Sequence, residues 1–237
     1  HVDDIAAAGT PKFLKETYNY LTSKFGKVTV QGLPFNHCGC RYSKIADGGY
    51  KIDQQEFLDS MQPHVLKDTK DMDRALTAEE TSLLRSILGC LLWVTATRLD
   101  LVADVGVLQS RVTKAKVSDL VLANSIIKKA KMQQYKDVGI IYRHFPTTVP
   151  WKVAVIHDAS SASKSRSYSQ EGVIVLLMPD CLNLDKQIHT IDGLSVSEAK
   201  FGGIGHILYV QGSRSKRISY STSHAETLAA ISGLEIS

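Results

Sequence analysis

Four acidic residues stand at positions where carboxylate chemistry is expected. Asp3 and Asp4 are adjacent at the start of an apolar run, Asp158 follows the alternating segment VAVIH, and Glu226 lies within STSHAETLAA. Carboxylate oxygens are the hard ligands that Mg²⁺ prefers, and a pair of such ions stabilises the charge that develops during phosphoryl transfer. Each acid also has an ordinary interpretation, as a turn residue, a strand-end residue or an acid near a helix N-terminus.

Basic residues are unevenly distributed, although the net charge of the chain is only +4. Two groups stand out: Arg111, Lys114, Lys116, Lys128, Lys129 and Lys131, and then Arg214, Lys216 and Arg217. Such clusters suit a nucleic-acid phosphate backbone, because neutralised phosphates release counterions. The alternative interpretation is a solvated helix face.

The residue patterns predict a mixture of helices and strands. Helices are predicted from Pro11 to Gly26, over residues 54–66, after Thr77, and over residues 99–111 and 117–135. Strands are predicted at residues 28–30, 40–42, 50–52, 138–142, 151–156, 172–177 and 206–210. Ser223 is expected to cap a last helix that carries Glu226 in its first turn. The end of the chain therefore has the order strand, strand, strand, helix.

Two helix starts carry specific capping signals. Thr10 precedes Pro11, and Thr77 with Glu80 fits a capping box, in which each side chain satisfies a free amide of the other residue. After that box, apolar residues recur at helical spacing and predict one buried face. They are Leu84, Ile87, Leu88, Leu91 and Leu92.

Composition and cysteine spacing limit the class of protein. The length permits two modest domains, and no apolar run approaches the roughly 20 residues of a membrane span. The four cysteines form no repeated pair, so reduced thiols are expected. His37-Cys38-Gly39-Cys40 contains residue types that bind zinc, but no second pair lies at finger spacing and a β-hairpin is preferred. A cytoplasmic or nuclear protein without membrane contact is the expectation.

Three segments resemble the Pol polyprotein of copia-type LTR retrotransposons, in the order found in that family. His1-Val2-Asp3-Asp4 resembles the aromatic-Val-Asp-Asp turn of the reverse transcriptase palm. LRSILGCLLWVTATRLDLVADVGVLQSRV, from Leu84, resembles the segment that follows the thumb. VAVIHDAS and STSHAETLAA resemble the first strand and first helix of the retroelement ribonuclease H domain. Residues 179–205 resemble the family least and look like an insertion.

The resemblance implies an α/β (α+β) fold in three parts. Residues 1–76 would end the palm and start the thumb, residues 77–145 would form the helical thumb and connection, and residues 150–237 would begin a ribonuclease H-like mixed sheet with its helix. Asp3 and Asp4 would serve the polymerase and Asp158 and Glu226 the nuclease, with Mg²⁺ or Mn²⁺ as the cofactor. The implied partners are primer-template, RNA–DNA hybrid, deoxynucleotides and the rest of the polyprotein, in a virus-like particle or the nucleus.

The same resemblance leads us to expect an internal piece of a longer enzyme. The upstream palm aspartate and the downstream Asp-Asn strand of the family do not occur in this sequence, so the chain alone is expected to have little polymerase or nuclease activity. The alternative is a decayed or co-opted fragment that binds nucleic acid without catalysis.

Overall fold

The computed structural model describes residues 4–66, 69–132, 134, 138–144, 148, 150–160, 169–179, 186–191, 194–199, 205–215 and 221–236. Within these residues the protein has six α-helices and only antiparallel sheets. The α+β fold class predicted from the sequence is therefore confirmed. No described helix is long and apolar enough to cross a membrane.

Helix α1 (Pro11–Phe25) begins and ends where the sequence predicts. The Thr10 hydroxyl accepts a hydrogen bond from the amide of Phe13 at 3.2 Å. Gly26 ends the helix with a φ of +82°, a backbone conformation that glycine adopts without strain. None of the α1 residues is buried. Its side chains therefore contribute little to the core described below.

The first sheet contains β1 (Phe35–His37), β2 (Cys40–Lys44), β3 (Tyr50–Asp53) and β4 (Ile140–Tyr142), paired in that order. The Asp47 carboxylate accepts a hydrogen bond from the Gly49 amide, which fixes the predicted turn before β3. The strand predicted at residues 28–30 is wrong, because this segment is irregular and pairs with no strand among the described residues. β4 pairs with β3, so the sheet joins a segment that precedes residues 55–130 in the sequence to one that follows them.

Asp53 at the end of β3 is a fully buried carboxylate. Its Oδ2 accepts hydrogen bonds from the Arg41 guanidinium at 3.0 and 3.2 Å, and Lys51 Nζ lies 3.6 Å away. Its Oδ1 accepts the amide of Gln55, which begins the next helix. A buried charge is tolerated when it is paired and hydrogen-bonded. Asp53 therefore joins the sheet to the helices.

The helical part contains α2 (Gln55–Ser60), α3 (Ala78–Val94), α4 (Val102–Arg111) and α5 (Val117–Ala130). The Thr77–Glu80 capping box at the start of α3 is confirmed. Helix α2 is shorter than predicted and ends before the chain reaches Pro63, while α5 ends at Ala130. The buried face of α3 is confirmed except at Leu92, which is 40% exposed.

These helices share one hydrophobic core. Its largest fully buried side chains are Leu58, Leu84, Leu91, Leu101, Leu108, Leu120, Ile126 and Ile127. Arg98 lies in the same core and is only 2% exposed. Its guanidinium makes two hydrogen bonds to Asp100, at 2.7 and 2.8 Å, and a third to the carbonyl oxygen of Ala130. Arg98 thus ties the corner between α3 and α4 to the end of α5.

The second sheet consists of β5 (Trp151–Ser160), β6 (Gln170–Pro179) and β9 (His206–Arg214), with β6 in the centre. The strands predicted at residues 151–156, 172–177 and 206–210 are confirmed as parts of these longer strands. Between β6 and β9, β7 (Lys186–Ile191) and β8 (Leu194–Ala199) form a separate antiparallel pair. Within the described residues this pair does not extend the three-stranded sheet.

Helix α6 (Thr222–Ile236) packs on one face of the second sheet. Its N-terminal cap is Ser221, whose hydroxyl accepts the amide of His224 at 3.1 Å, and not Ser223 as predicted. Glu226 consequently lies beyond the first turn, which contains no acid.

The opposite face of the sheet is joined to α4. A Cβ added to Gly106 in α4 would lie 2.2 Å from the carbonyl oxygen of Gly212 in β9, so the two backbones meet directly. Gly212 in turn faces Val102 and Ala103, at 3.2 and 3.4 Å from an added Cβ. The second sheet therefore lies between α4 on one face and α6 on the other.

Candidate functional site

The position of Glu226 depends on close packing between α6 and the sheet. Ala225 and Ala229 are fully buried and form a small cluster with Ala159 of β5. Further along the helix, an added Cβ at Gly233 would lie 2.7 Å from Val155 Cγ1. Small residues on this face of α6 allow its backbone to approach β5 and bring Glu226 close to the end of that strand.

The side chain that meets Glu226 belongs to His157. His157 Nδ1 lies 4.0 Å from Glu226 Oε2, and the two side chains are 37% and 40% exposed. This distance is too long for a hydrogen bond, but a protonated imidazole would form an ion pair there. Sequence patterns assign no role to His157, because strand alternation does not reveal which face a later helix will cover.

Asp158 occupies the next position on β5 and is exposed. Successive strand residues point to opposite faces, and Val155, which has the same parity as His157, faces α6. Asp158 therefore belongs to the α4 face, where its cross-strand neighbours are Gly172 and then Gly212.

A cavity of about 210 Å³ adjoins Asp158 on this face. Its walls are mainly apolar and include Leu99, Val102 and Ala103 from the helical part and Ile156, Ile174 and Val210 from the sheet. Asp158 and His157 both line this cavity, and Glu226 lies 4.0 Å from His157.

This arrangement does not form a magnesium site by itself. No group of three or more His, Cys, Asp or Glu side chains within the described residues is arranged to hold a metal ion. Asp158 and Glu226 each offer one carboxylate, from opposite faces of the strand end. Of the two predicted polymerase residues, Asp4 is exposed and lies outside any helix or strand. Asp3 lies outside the described residues.

Four of the six residues in the first basic group make ion pairs or hydrogen bonds to other parts of the chain. Arg111 pairs with Asp119, Lys116 with Asp73 and Lys129 with Asp104, at 3.3, 2.7 and 2.8 Å. Lys131 donates to the carbonyl oxygens of Asp59 and Met61. These contacts fasten α5 and its flanking segments to the rest of the helical part.

The contacts also change the electrostatics of the pairs. The hydrogen bond and charge of Asp73 raise the pKa of Lys116, and the pKa of Asp73 is lowered for the same reason. Lys116 and Asp73 are therefore both ionised over the physiological pH range. A cation that is already paired has less net charge to offer to a phosphate.

Two lysines of the group remain open to solvent. Lys114 and Lys128 are exposed and make no ion pair or hydrogen bond within the part of the chain that the structure describes. In the second basic group, Arg214 is exposed at the end of β9, whereas Lys216 and Arg217 lie outside the described residues. Lys114 and Lys128 are the best-defined cations for contact with a polyanion.

Comparison of the chain with protein-family models, with curated proteins and with solved structures finds no match.

Proposed function

We propose that this chain is part of the Pol polyprotein of a copia-type LTR retrotransposon, in which residues 150–237 contribute to a ribonuclease H-like unit that acts on RNA–DNA hybrids. The observation that carries the proposal is the antiparallel order β5, β6, β9 followed by a helix that packs on the sheet. That helix brings Glu226 to 4.0 Å from His157, the residue that precedes Asp158 on β5. This is the order of elements that the sequence resemblance implies.

In the same proposal, residues 1–145 are the end of a reverse transcriptase palm and its helical thumb and connection. The support is a small antiparallel sheet followed by a helical part with its own core. The polymerase assignment of Asp3 and Asp4, and the deoxynucleotide and primer-template partners, rest on the sequence resemblance alone.

The cofactor in the proposed reaction is Mg²⁺ or Mn²⁺, which stabilises charge on the phosphate oxygens and activates water. Asp158 and Glu226 are the carboxylates of this chain that we assign to that chemistry. The described residues do not complete the coordination of such an ion. For the chain alone we therefore expect hybrid binding with little or no cleavage.

The test uses the parent polyprotein, with a labelled RNA–DNA hybrid and Mg²⁺. Asp158→Asn and Glu226→Gln should each reduce hybrid cleavage by about two orders of magnitude, the usual effect of removing a group that stabilises transition-state charge. Glu235→Gln is the matched control, because Glu235 is an exposed acid on the same helix. Equal cleavage by all three variants would refute the nuclease assignment.

The non-catalytic alternative gives a different result in the same experiment. A decayed or co-opted fragment would bind the hybrid through cations such as Lys114 and Lys128, and neither carboxylate substitution would reduce that binding. Hybrid binding without any Mg²⁺-dependent cleavage by the parent polyprotein would favour this alternative.

A further inference from the structure

The tip of the first hairpin brings together three side chains that carry nitrogen or sulfur. Cys38 and Gly39 form the two-residue turn between β1 and β2, with φ angles of +49° and +71°. Two positive φ angles are typical of a type I′ turn. His37 and Cys40 face each other across the hairpin on either side of this turn.

Cys38 is an exposed thiol with an imidazole beside it. Its Sγ lies 3.5 Å from His37 Nε2, within the distance of a sulfur hydrogen bond. With the ring proton on Nδ1, the thiol is the donor and Nε2 the acceptor of this hydrogen bond. The thiolate is the nucleophilic form of cysteine, and imidazole neighbours favour it.

Cys40 has a different environment. Burial raises the pKa of its thiol, and the negative charges of Cys38 and Asp53 raise it further.

Cys90 provides an internal comparison. It is half-buried on α3 and makes no hydrogen bond to an imidazole within the described residues. Any difference in reactivity between Cys38 and Cys90 therefore measures the effect of exposure and of His37 within one molecule.

We propose that Cys38 is a site of covalent thiol modification, which is oxidised by hydrogen peroxide and then forms a disulfide with Cys40. In the first step the Cys38 proton moves to His37, and the thiolate sulfur attacks one peroxide oxygen. The O–O bond breaks, the sulfur is oxidised to a sulfenic acid, and the departing hydroxide takes the proton from His37 as water.

In the second step Cys40 resolves the sulfenic acid. The Cys40 sulfur attacks the Cys38 sulfur, an S–S bond replaces the S–O bond, and the hydroxyl group leaves with the Cys40 proton as water. Disulfides span Cα···Cα distances of about 4.4–6.8 Å, and Cys38 and Cys40 are only two residues apart at the hairpin turn.

The experiment measures modification of the folded chain by peptide mass spectrometry. With limiting iodoacetamide, Cys38 should react about tenfold faster than Cys90, and His37→Gln should reduce the Cys38 rate severalfold without changing that of Cys90. With hydrogen peroxide and dimedone, Cys40→Ser should accumulate the dimedone adduct at Cys38, whereas the wild-type chain should yield the Cys38–Cys40 disulfide.

Two results would overturn the proposal. One is equal alkylation of Cys38 and Cys90 in the wild-type chain, a comparison that does not depend on how any variant folds. The other is a Cys40→Ser chain that gives no dimedone adduct at Cys38. Cys38→Asn is the fold control, because asparagine tolerates the positive φ of this position, and its circular dichroism spectrum should match that of the wild-type chain.

Discussion

Gly106 in α4 lies against the carbonyl oxygen of Gly212 in β9, with no room for a side chain between the two backbones. This contact joins the helical part to the second sheet. A side chain at either position would force α4 away from the sheet and disturb the cavity that Asp158 lines.

Gly106→Ala should therefore lower the free energy of unfolding by about 1–3 kcal/mol, the usual cost of overpacking. Gly89→Ala is the matched control, because an added Cβ at Gly89 in α3 would meet nothing within 4 Å. Since alanine is the better helix former, the control should be neutral or stabilising by up to about 1 kcal/mol. Urea unfolding of both variants measures the difference, and equal stabilities would show that the backbones do not meet.

Asp53→Asn should destabilise the chain by about 3 kcal/mol, because it removes the buried charge that Arg41 and Lys51 neutralise. Asp59→Asn, an exposed carboxylate on α2, should change stability by less than about 0.5 kcal/mol. Thermal unfolding at neutral pH compares the two. A small effect at Asp53 would mean that the sheet and helices are joined mainly by other contacts.

The acid Glu80 should make stability depend on pH. Hydrogen bonds from the Arg74 guanidinium and from the Thr77 amide lower the pKa of Glu80 from 4.5 to about 2. A carboxyl group whose pKa is lower in the folded state stabilises that state above its unfolded pKa, and this contribution disappears as the pH falls towards the folded pKa.

The wild-type chain should accordingly be more stable than Glu80→Gln at pH 6, and the difference should shrink between about pH 4.5 and pH 2. Melting temperatures of both proteins across this range provide the measurement. Glu79→Gln, at the neighbouring exposed position, should follow the wild-type curve. A difference between wild type and Glu80→Gln that stays constant with pH would contradict the assigned contacts.

Hybrid binding should depend on the two open lysines. If Lys114 and Lys128 contact phosphates, replacing both with glutamine should reduce the slope of log affinity against log salt by about 1.8, because each neutralised phosphate contributes about 0.9. Replacing Lys129, which pairs with Asp104 at 2.8 Å, should change the slope much less. Fluorescence anisotropy over a salt series distinguishes these cases. An unchanged slope in the double variant would remove both lysines from the interface.

Sequence patterns predicted the features that depend on neighbouring residues. The caps at Thr10 and Thr77 are confirmed. In each cap the amide donor lies three residues after the threonine hydroxyl, so the local sequence contains both partners. The pairs of Lys116 and Lys129 join segments 43 and 25 residues apart, which composition cannot reveal. The run of lysines therefore predicted a solvent-exposed basic surface. In the fold, Lys116 and Lys129 are instead paired with acidic side chains.

The candidate site shows the same limit. Alternation along β5 predicted a strand that ends at His157 and Asp158, but it could not tell which face of the strand α6 would cover. That choice depends on the small residues Ala225 and Gly233, which contact a strand more than sixty positions earlier in the chain. Similarly, Ser221 and Ser223 are both good caps, and only the position of the docked helix selects Ser221.

The pairing of β3 with β4 has a consequence for synthesis of the chain. Lys51 and Ile141 are register partners although roughly ninety residues separate them. On the ribosome, β1, β2 and β3 emerge early, and the outer edge of β3 has to wait, with its hydrogen-bonding groups open, until the helices and then residues 140–142 have been translated. During that interval the nascent protein carries an exposed sheet edge, the kind of surface that another chain can join.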